Sequence, residues 1–87
     1  MTAADTALTA LLCLRVSTDG DPSVLTRLLG YFHNLNVTPR RVVAEFSSSS
    51  QLHLTVDVSG MSEERLTLIT AKVGQNPSVL NAYWHHL

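Results

Sequence analysis

Asp19–Val42, DGDPSVLTRLLGYFHNLNVTPRRV, is the stretch from which the rest of the chain can be read. Leu25, Leu28, Leu29 and Phe32 fall at i, i+3, i+4 and i+7, which is one face of an α-helix. Pro22 stands where a first-turn proline sacrifices no hydrogen bond, and Asp21 before it can cap the exposed amides. Asn36 follows the last apolar turn and, after glycine, is the residue type that best tolerates a left-handed helix exit. The spacing predicts a helix from Pro22 to about Leu35. A loop over Ser17–Asp21 leads into it, and a strand from about Thr38 follows.

Working outward, Leu8, Ala10, Leu12, Leu14 and Val16 alternate with Thr9, Cys13 and Arg15, the period of a half-buried strand. Residues 1–6 are small and polar and are expected to be disordered, leaving 7–87 as one domain. Thr38–Phe46 reads as a second strand with Val42, Ala44 and Phe46 on one face, and Pro39 near its start suits an edge. Ser47–Ser50 can only be a hairpin loop. Gln51–Val58 alternates cleanly, with Leu52, Leu54, Val56 and Val58 inward. Ser62 is placed as an N-cap, with Glu63 and Glu64 against the positive helix end and Met61 and Leu66 spaced as a hydrophobic staple. Leu66, Ile69, Thr70 and Val73 form the inward stripe of this second helix, and Gly74 is placed to let it exit. Val79 to about His86 is a fourth strand.

The order β-α-β-β-α-β, with right-handed crossovers, implies a ferredoxin-like α+β fold: a four-stranded antiparallel sheet covered on one face by two helices. The first and third strands are then central and the second and fourth are edges. The outer face is expected to carry Leu11, Cys13, Val43, Thr55 and one of Tyr83 or Trp84 beside Arg15, His53 and Asp57. That is apolar enough for association with a partner.

A net charge of -1, from six basic and seven acidic residues, leaves no electrostatic footprint for nucleic acid or an anionic membrane. Cys13 is the sole cysteine, so there is no disulfide framework and no CxxC pair. The apolar run Ala7–Val16 lacks a positive flank and is too short to span a bilayer. The expectation is a soluble, cytoplasmic protein. The four glycines are scattered, so there is no phosphate loop. Acylphosphatases and metal chaperones of this topology need a glycine-rich loop with arginine, or CxxC, where this chain has STDGDPS. His85 and His86, being adjacent on a strand, point to opposite faces and cannot chelate one ion together. No metal, cofactor or catalytic residues are expected.

The run at residues 21–32, DPSVLTRLLGYF, resembles the ACT-domain signature, in which an acid and Pro-Gly precede an apolar pair, an arginine, a glycine and a phenylalanine. The resemblance extends over about residues 8–86. It is greatest to the short regulatory (small) subunits of acetolactate synthase, whose matching helix carries LSRVIGLF against LTRLLGYF at Leu25–Phe32 here. Mid-helix Gly30 costs roughly 0.5–1 kcal/mol relative to alanine, which suggests that something approaches it closely.

The resemblance implies a non-catalytic regulatory subunit in branched-chain amino-acid biosynthesis. Such a subunit would form a homodimer and bind the large catalytic subunit of acetolactate synthase. It also implies an amino-acid effector site at Gly20, Asp21, Pro22, Ser23 and Val24, completed by Thr38 and Pro39 from the partner subunit. A stand-alone ACT homodimer sensing a small ligand at its interface is the other reading. This chain has Gly20 and Ser23 where valine-binding relatives have asparagine and glycine, and Thr38-Pro39 in place of Asn-Ile. The scaffold half of the signature therefore matches the family, and the ligand half departs from it.

Overall fold

The computed structural model describes residues 10–87. Six elements follow one another: β1 (Leu12–Thr18), α1 (Pro22–Asn34), β2 (Arg41–Phe46), β3 (Leu52–Val58), α2 (Glu63–Gly74) and β4 (Val79–His86). The strands form one antiparallel sheet in the order β2-β3-β1-β4. The β-α-β-β-α-β ferredoxin-like arrangement is therefore the observed one, with β1 and β3 central. Leu12, Leu14 and Val16 of β1 lie opposite Val58, Val56 and Leu54 of β3. They join Val24, Leu28 and Phe32 of α1 and Leu66, Ile69 and Val73 of α2 in a single core.

Local chemistry accounts for the helix ends. Asp21 has extended backbone and its side chain accepts the Ser23 amide, so Pro22 begins α1 as its first residue. At the other end Leu35 is the cap and Asn36 adopts φ 58°. The Asn36 amide donates to His33 at 2.9 Å and the Val37 amide to Phe32 at 3.0 Å, the paired bonds of a Schellman exit. Ser62 caps α2 by accepting the Arg65 amide at 3.2 Å, and both Met61 and Leu66 are buried.

Several sequence expectations are corrected. β1 runs later than predicted: Ala10 and Leu11 precede it, it continues to Thr18, and the predicted start at Leu8 lies outside the described residues, as do residues 1–6. β2 begins at Arg41 rather than Thr38, because Pro39 has no amide to donate and pairing resumes only with Arg40, whose amide reaches Asp57 O at 2.7 Å. Gly74 is the last residue of α2 and has no left-handed geometry. The helix leaves instead through Gln75 and an Asn76 turn, in which the Asn76 side chain accepts the Ser78 amide at 2.9 Å. Thr70 is only half-buried, its hydroxyl donating back to Leu66 O at 2.7 Å. Among the described residues nothing lies within 4 Å of a Cβ built on Gly30, so none of them explains that glycine.

The buried stripe of α1 is Val24, Leu28 and Phe32, rotated from the predicted one, and Leu25 and Leu29 are only half-buried. At about 100° per residue these two leucines flank the stripe on the side away from α2. Beyond them, Val42, Ala44 and Phe46 lie opposite Val56, Leu54 and Leu52, on the helix-bearing face. Yet Val42 is 41% and Phe46 68% exposed, because neither helix reaches that edge. Tyr83 falls on the outer face, while Trp84 packs inward opposite Leu14 and donates to Thr67 Oγ1 at 2.9 Å.

Leu28 is fully buried at the centre of this packing. Leu28→Ala is expected to cost about 2–5 kcal/mol in urea unfolding, and a loss well under that range would contradict the packing described. Gly30→Ala should instead stabilise the isolated chain by about 0.5–1 kcal/mol, since the added methyl group meets open space.

Candidate functional site

The turn from β1 into α1 is shaped by short polar bonds. Thr18, fully buried at the end of β1, accepts the Gly20 amide on its Oγ1 at 3.0 Å, and Asp19 accepts the Asp21 amide at 3.1 Å. Gly20 has φ 97°, and a Cβ there would sit 3.3 Å from Ser50 O and 3.5 Å from the Phe46 ring. The backbone conformation therefore favours glycine at position 20, and a Cβ there would also crowd Ser50 O. Asp21 Oδ1 accepts the Ser23 amide at 2.9 Å, and Oδ2 accepts the Ser78 hydroxyl at 3.1 Å. These bonds, led by that of the Ser23 backbone, hold the Asp21 carboxyl below its ordinary value of 3.8. The Asp21–Ser78 bond ties the start of α1 to the loop before β4. Val24 is a core residue, so of the five predicted positions on this side it is placed for packing rather than for ligand contact.

Thr38 and Pro39 lie elsewhere. They precede β2 at the far end of α1, and the 13 residues of that helix span about 20 Å. One copy of the chain therefore does not bring the two halves of the predicted site together. Gly20 sits instead beside Phe46 and Ser50, at the end of β2 and in the hairpin loop that follows.

The structure shows a second concavity that sequence reasoning missed. A cleft of about 430 Å³ runs between α1 and the C-terminal end of α2. Ser23, Arg27 and Tyr31 line it from α1, and Lys72, Asn76 and Ser78 from the other wall. Lys72 Nζ stands 5.8 Å from the centre of the Tyr31 ring. The sequence did carry a signal: Arg27 and Tyr31 are four apart on the flank opposite Leu25 and Leu29. Only the packing of α2 shows which flank is walled in.

The outer sheet face holds a row of Arg41, Asp57, Cys13 and His85, one residue from each strand. Arg41 pairs with Asp57 Oδ2 at 3.6 Å, while Asp57 Oδ1 is buried without a partner. Burial, and then the neighbouring Asp57, push the Cys13 thiol above its ordinary value of 9.0, which suppresses the reactive thiolate. His85 donates from Nδ1 to the His86 carbonyl at 2.8 Å, and His86 meets Glu63 on the opposite face at 3.1 Å. Among the described residues no three His, Cys, Asp or Glu side chains are grouped to hold a metal ion. No helix among them is long and apolar enough to cross a membrane.

Comparison with known proteins places this geometry in context. The family model of the ACT-like domain matches residues 5–87. No curated protein sequence matches the chain. Among solved structures, the C-terminal domain of the MgtC protein from Mycobacterium tuberculosis superposes with a TM-score of 0.77 at 15% identity, covering 92% of this chain and 89% of that one. The ACT domain from GTP pyrophosphokinase of Chlorobium tepidum gives 0.71 at 12% identity, covering 87% and 97%. A homoserine dehydrogenase from Thiobacillus denitrificans gives 0.74 at 16% identity, covering 93% of this chain and 18% of that protein. At these identities the likeness is one of fold.

Because the folded-state value of Asp21 is depressed, its contribution to stability is present above the ordinary carboxylate value and is lost as pH falls through the folded one. Asp21→Asn keeps a cap acceptor but removes the charge. Its thermal midpoint should lie below the wild type at neutral pH, and the gap should close as the pH is lowered past 3.8. A gap independent of pH would contradict this role for the carboxylate. Cys13 should react with a thiol reagent only upon unfolding, which a timed thiol assay would read directly.

Proposed function

The chain belongs to the ACT-like domain family, and on that premise we propose that it is a non-catalytic regulatory subunit working as two copies joined through β2. The observation that carries this reading is the uncovered edge of the sheet. Val42, Ala44 and Phe46 lie on the helix-bearing face without a helix above them, and Leu25 and Leu29 are half-exposed on the adjacent flank of α1. The outer edge of β2 also presents amides and carbonyls to which another strand can bond.

Antiparallel pairing of two β2 strands about a two-fold axis sets the start of one against the end of the other. Thr38 and Pro39 of the partner subunit then come beside Phe46, and hence beside Gly20 and Ser23 of the first copy. The two halves of the effector site, separated in one copy, meet at this junction. Gly20 and Pro39 bring no polar side chain and no amide donor at Pro39, so the junction differs chemically from one built for valine.

The catalytic partner we propose is the large subunit of acetolactate synthase, a reading supported by the LTRLLGYF helix at Leu25–Phe32. The subunit would act in the cytoplasm through binding energy alone, docking an apolar surface and favouring the active conformation of the enzyme. A stand-alone homodimer that senses an amino acid at its junction is the second reading, favoured by the division of the site between the two ends of the sheet.

The chain should sediment as a dimer and Phe46→Asp as a monomer; a wild-type monomer would overturn the β2 assembly. Added to the purified large subunit, the dimer should change its activity, and no change with or without valine would sink that partnership. An amino acid present at 100 times its Kd would stabilise the dimer by about 2.7 kcal/mol. A thermal-shift response without any effect on the large subunit would favour the stand-alone sensor.

A further inference from the structure

We propose that the cleft between α1 and α2 is itself a binding site, taking a small anionic metabolite whose carboxylate or phosphate lies between Arg27 and Lys72. This rests on the regulatory reading above, but it places a ligand within one copy of the chain and not at the junction between copies. Three observations carry it. The first is charge. The ion pairs among the described residues are Arg41–Asp57 and His86–Glu63, so neither Arg27 nor Lys72 is in contact with a carboxylate, although Asp21 acts on Arg27 at longer range. They stand on opposite walls of one cleft.

The second concerns the negative groups that would oppose an anion. Asp21 is the acid lining the cleft, and its two oxygens are engaged by the Ser23 amide and the Ser78 hydroxyl. The last carbonyls of α2, Lys72 O and Val73 O, accept from the amides of Gln75 and Asn76. Asp21 nevertheless keeps its negative charge and attracts Arg27 through space, so the cleft carries two cations against one acid, a net charge of +1. An arriving anion would form charge-assisted bonds of the stronger kind.

The third is shape. About 430 Å³ falls within the range of small-molecule sites and exceeds what a bare ion needs. The base of the cleft is made by Val24, Leu28 and Val73, which are buried and held in the core. The walls are therefore preorganised by packing, with the Asp21–Ser78 bond bracing one end.

The test is a titration of the full-length chain, followed residue by residue through its amide resonances, with inorganic phosphate and separately with succinate at matched ionic strength. Saturable shifts at Arg27, Tyr31, Lys72 and Asn76 are expected, and whichever anion produces them identifies the favoured head group. Arg27→Gln and Lys72→Gln, both at exposed positions, should each weaken binding about tenfold, as loss of one charge-assisted contact requires. Phe46→Asp, which opens the junction, should leave the shifts in place. Shifts that do not saturate, or that persist in the double variant Arg27→Gln/Lys72→Gln, overturn the proposal. Saturable shifts confined to Gly20, Ser23, Thr38 and Arg40 would overturn it as well, while supporting a ligand at the junction.

Discussion

Leu12, Leu14 and Val16 of β1 face Val58, Val56 and Leu54 of β3 along one antiparallel seam, and both helices rest on it. All six of these side chains are almost wholly buried, and burial of such apolar surface is the main favourable contribution to folding. The two helices cover the central strands and, through α2, β4, but neither lies over β2. The geometry of everything else follows from that placement. α2 leans toward β4, where Trp84 and Ala82 pack against the core, and β2 is left with its apolar residues in water.

The uncovered edge links the fold to its role. In a small domain that buries only about 60% of its unfolded surface, apolar residues left on an edge strand are a cost that a second copy would remove. The same edge orients the two ends of the sheet. The Gly20 turn sits at the end of β2 and the Thr38-Pro39 connector at its start, so an effector site built from both requires two chains. The cleft between the helices requires only one. The proposed junction and the interhelical cleft are therefore separable in principle: the first would depend on assembly, and the second depends on the core.

Asp21 shows how one side chain can serve local and tertiary structure together. It caps α1 through the Ser23 amide, and through Ser78 it fastens that helix to the loop leading into β4. It is also the one acid lining the cleft beside it, against the two cations Arg27 and Lys72. The row on the outer face is the contrasting case: Asp57 has a buried oxygen without a partner, and its neighbour Cys13 is held in its unreactive form.

The element order, the central places of β1 and β3, the Asp21 and Ser62 caps and the Asn36 exit were all legible in the residues. Each follows from period, capping chemistry or backbone freedom, which act within a few positions of one another. The late start of β2 was legible in part, since Pro39 carried the signal but not the position at which pairing resumes. The true exit of α2 was hidden because Gly74 fits a left-handed end as well as a helical one, and the Asn76 turn decided between them. What the sequence alone determined is thus the set of elements and their inward faces, because those are properties of neighbouring residues. Which apolar faces are covered, that Gly20 and Thr38 stand at opposite ends, and that Arg27 and Lys72 share one cleft depended on helix lengths and crossing positions. Those are fixed only when distant segments pack, and tertiary structure alone could decide them.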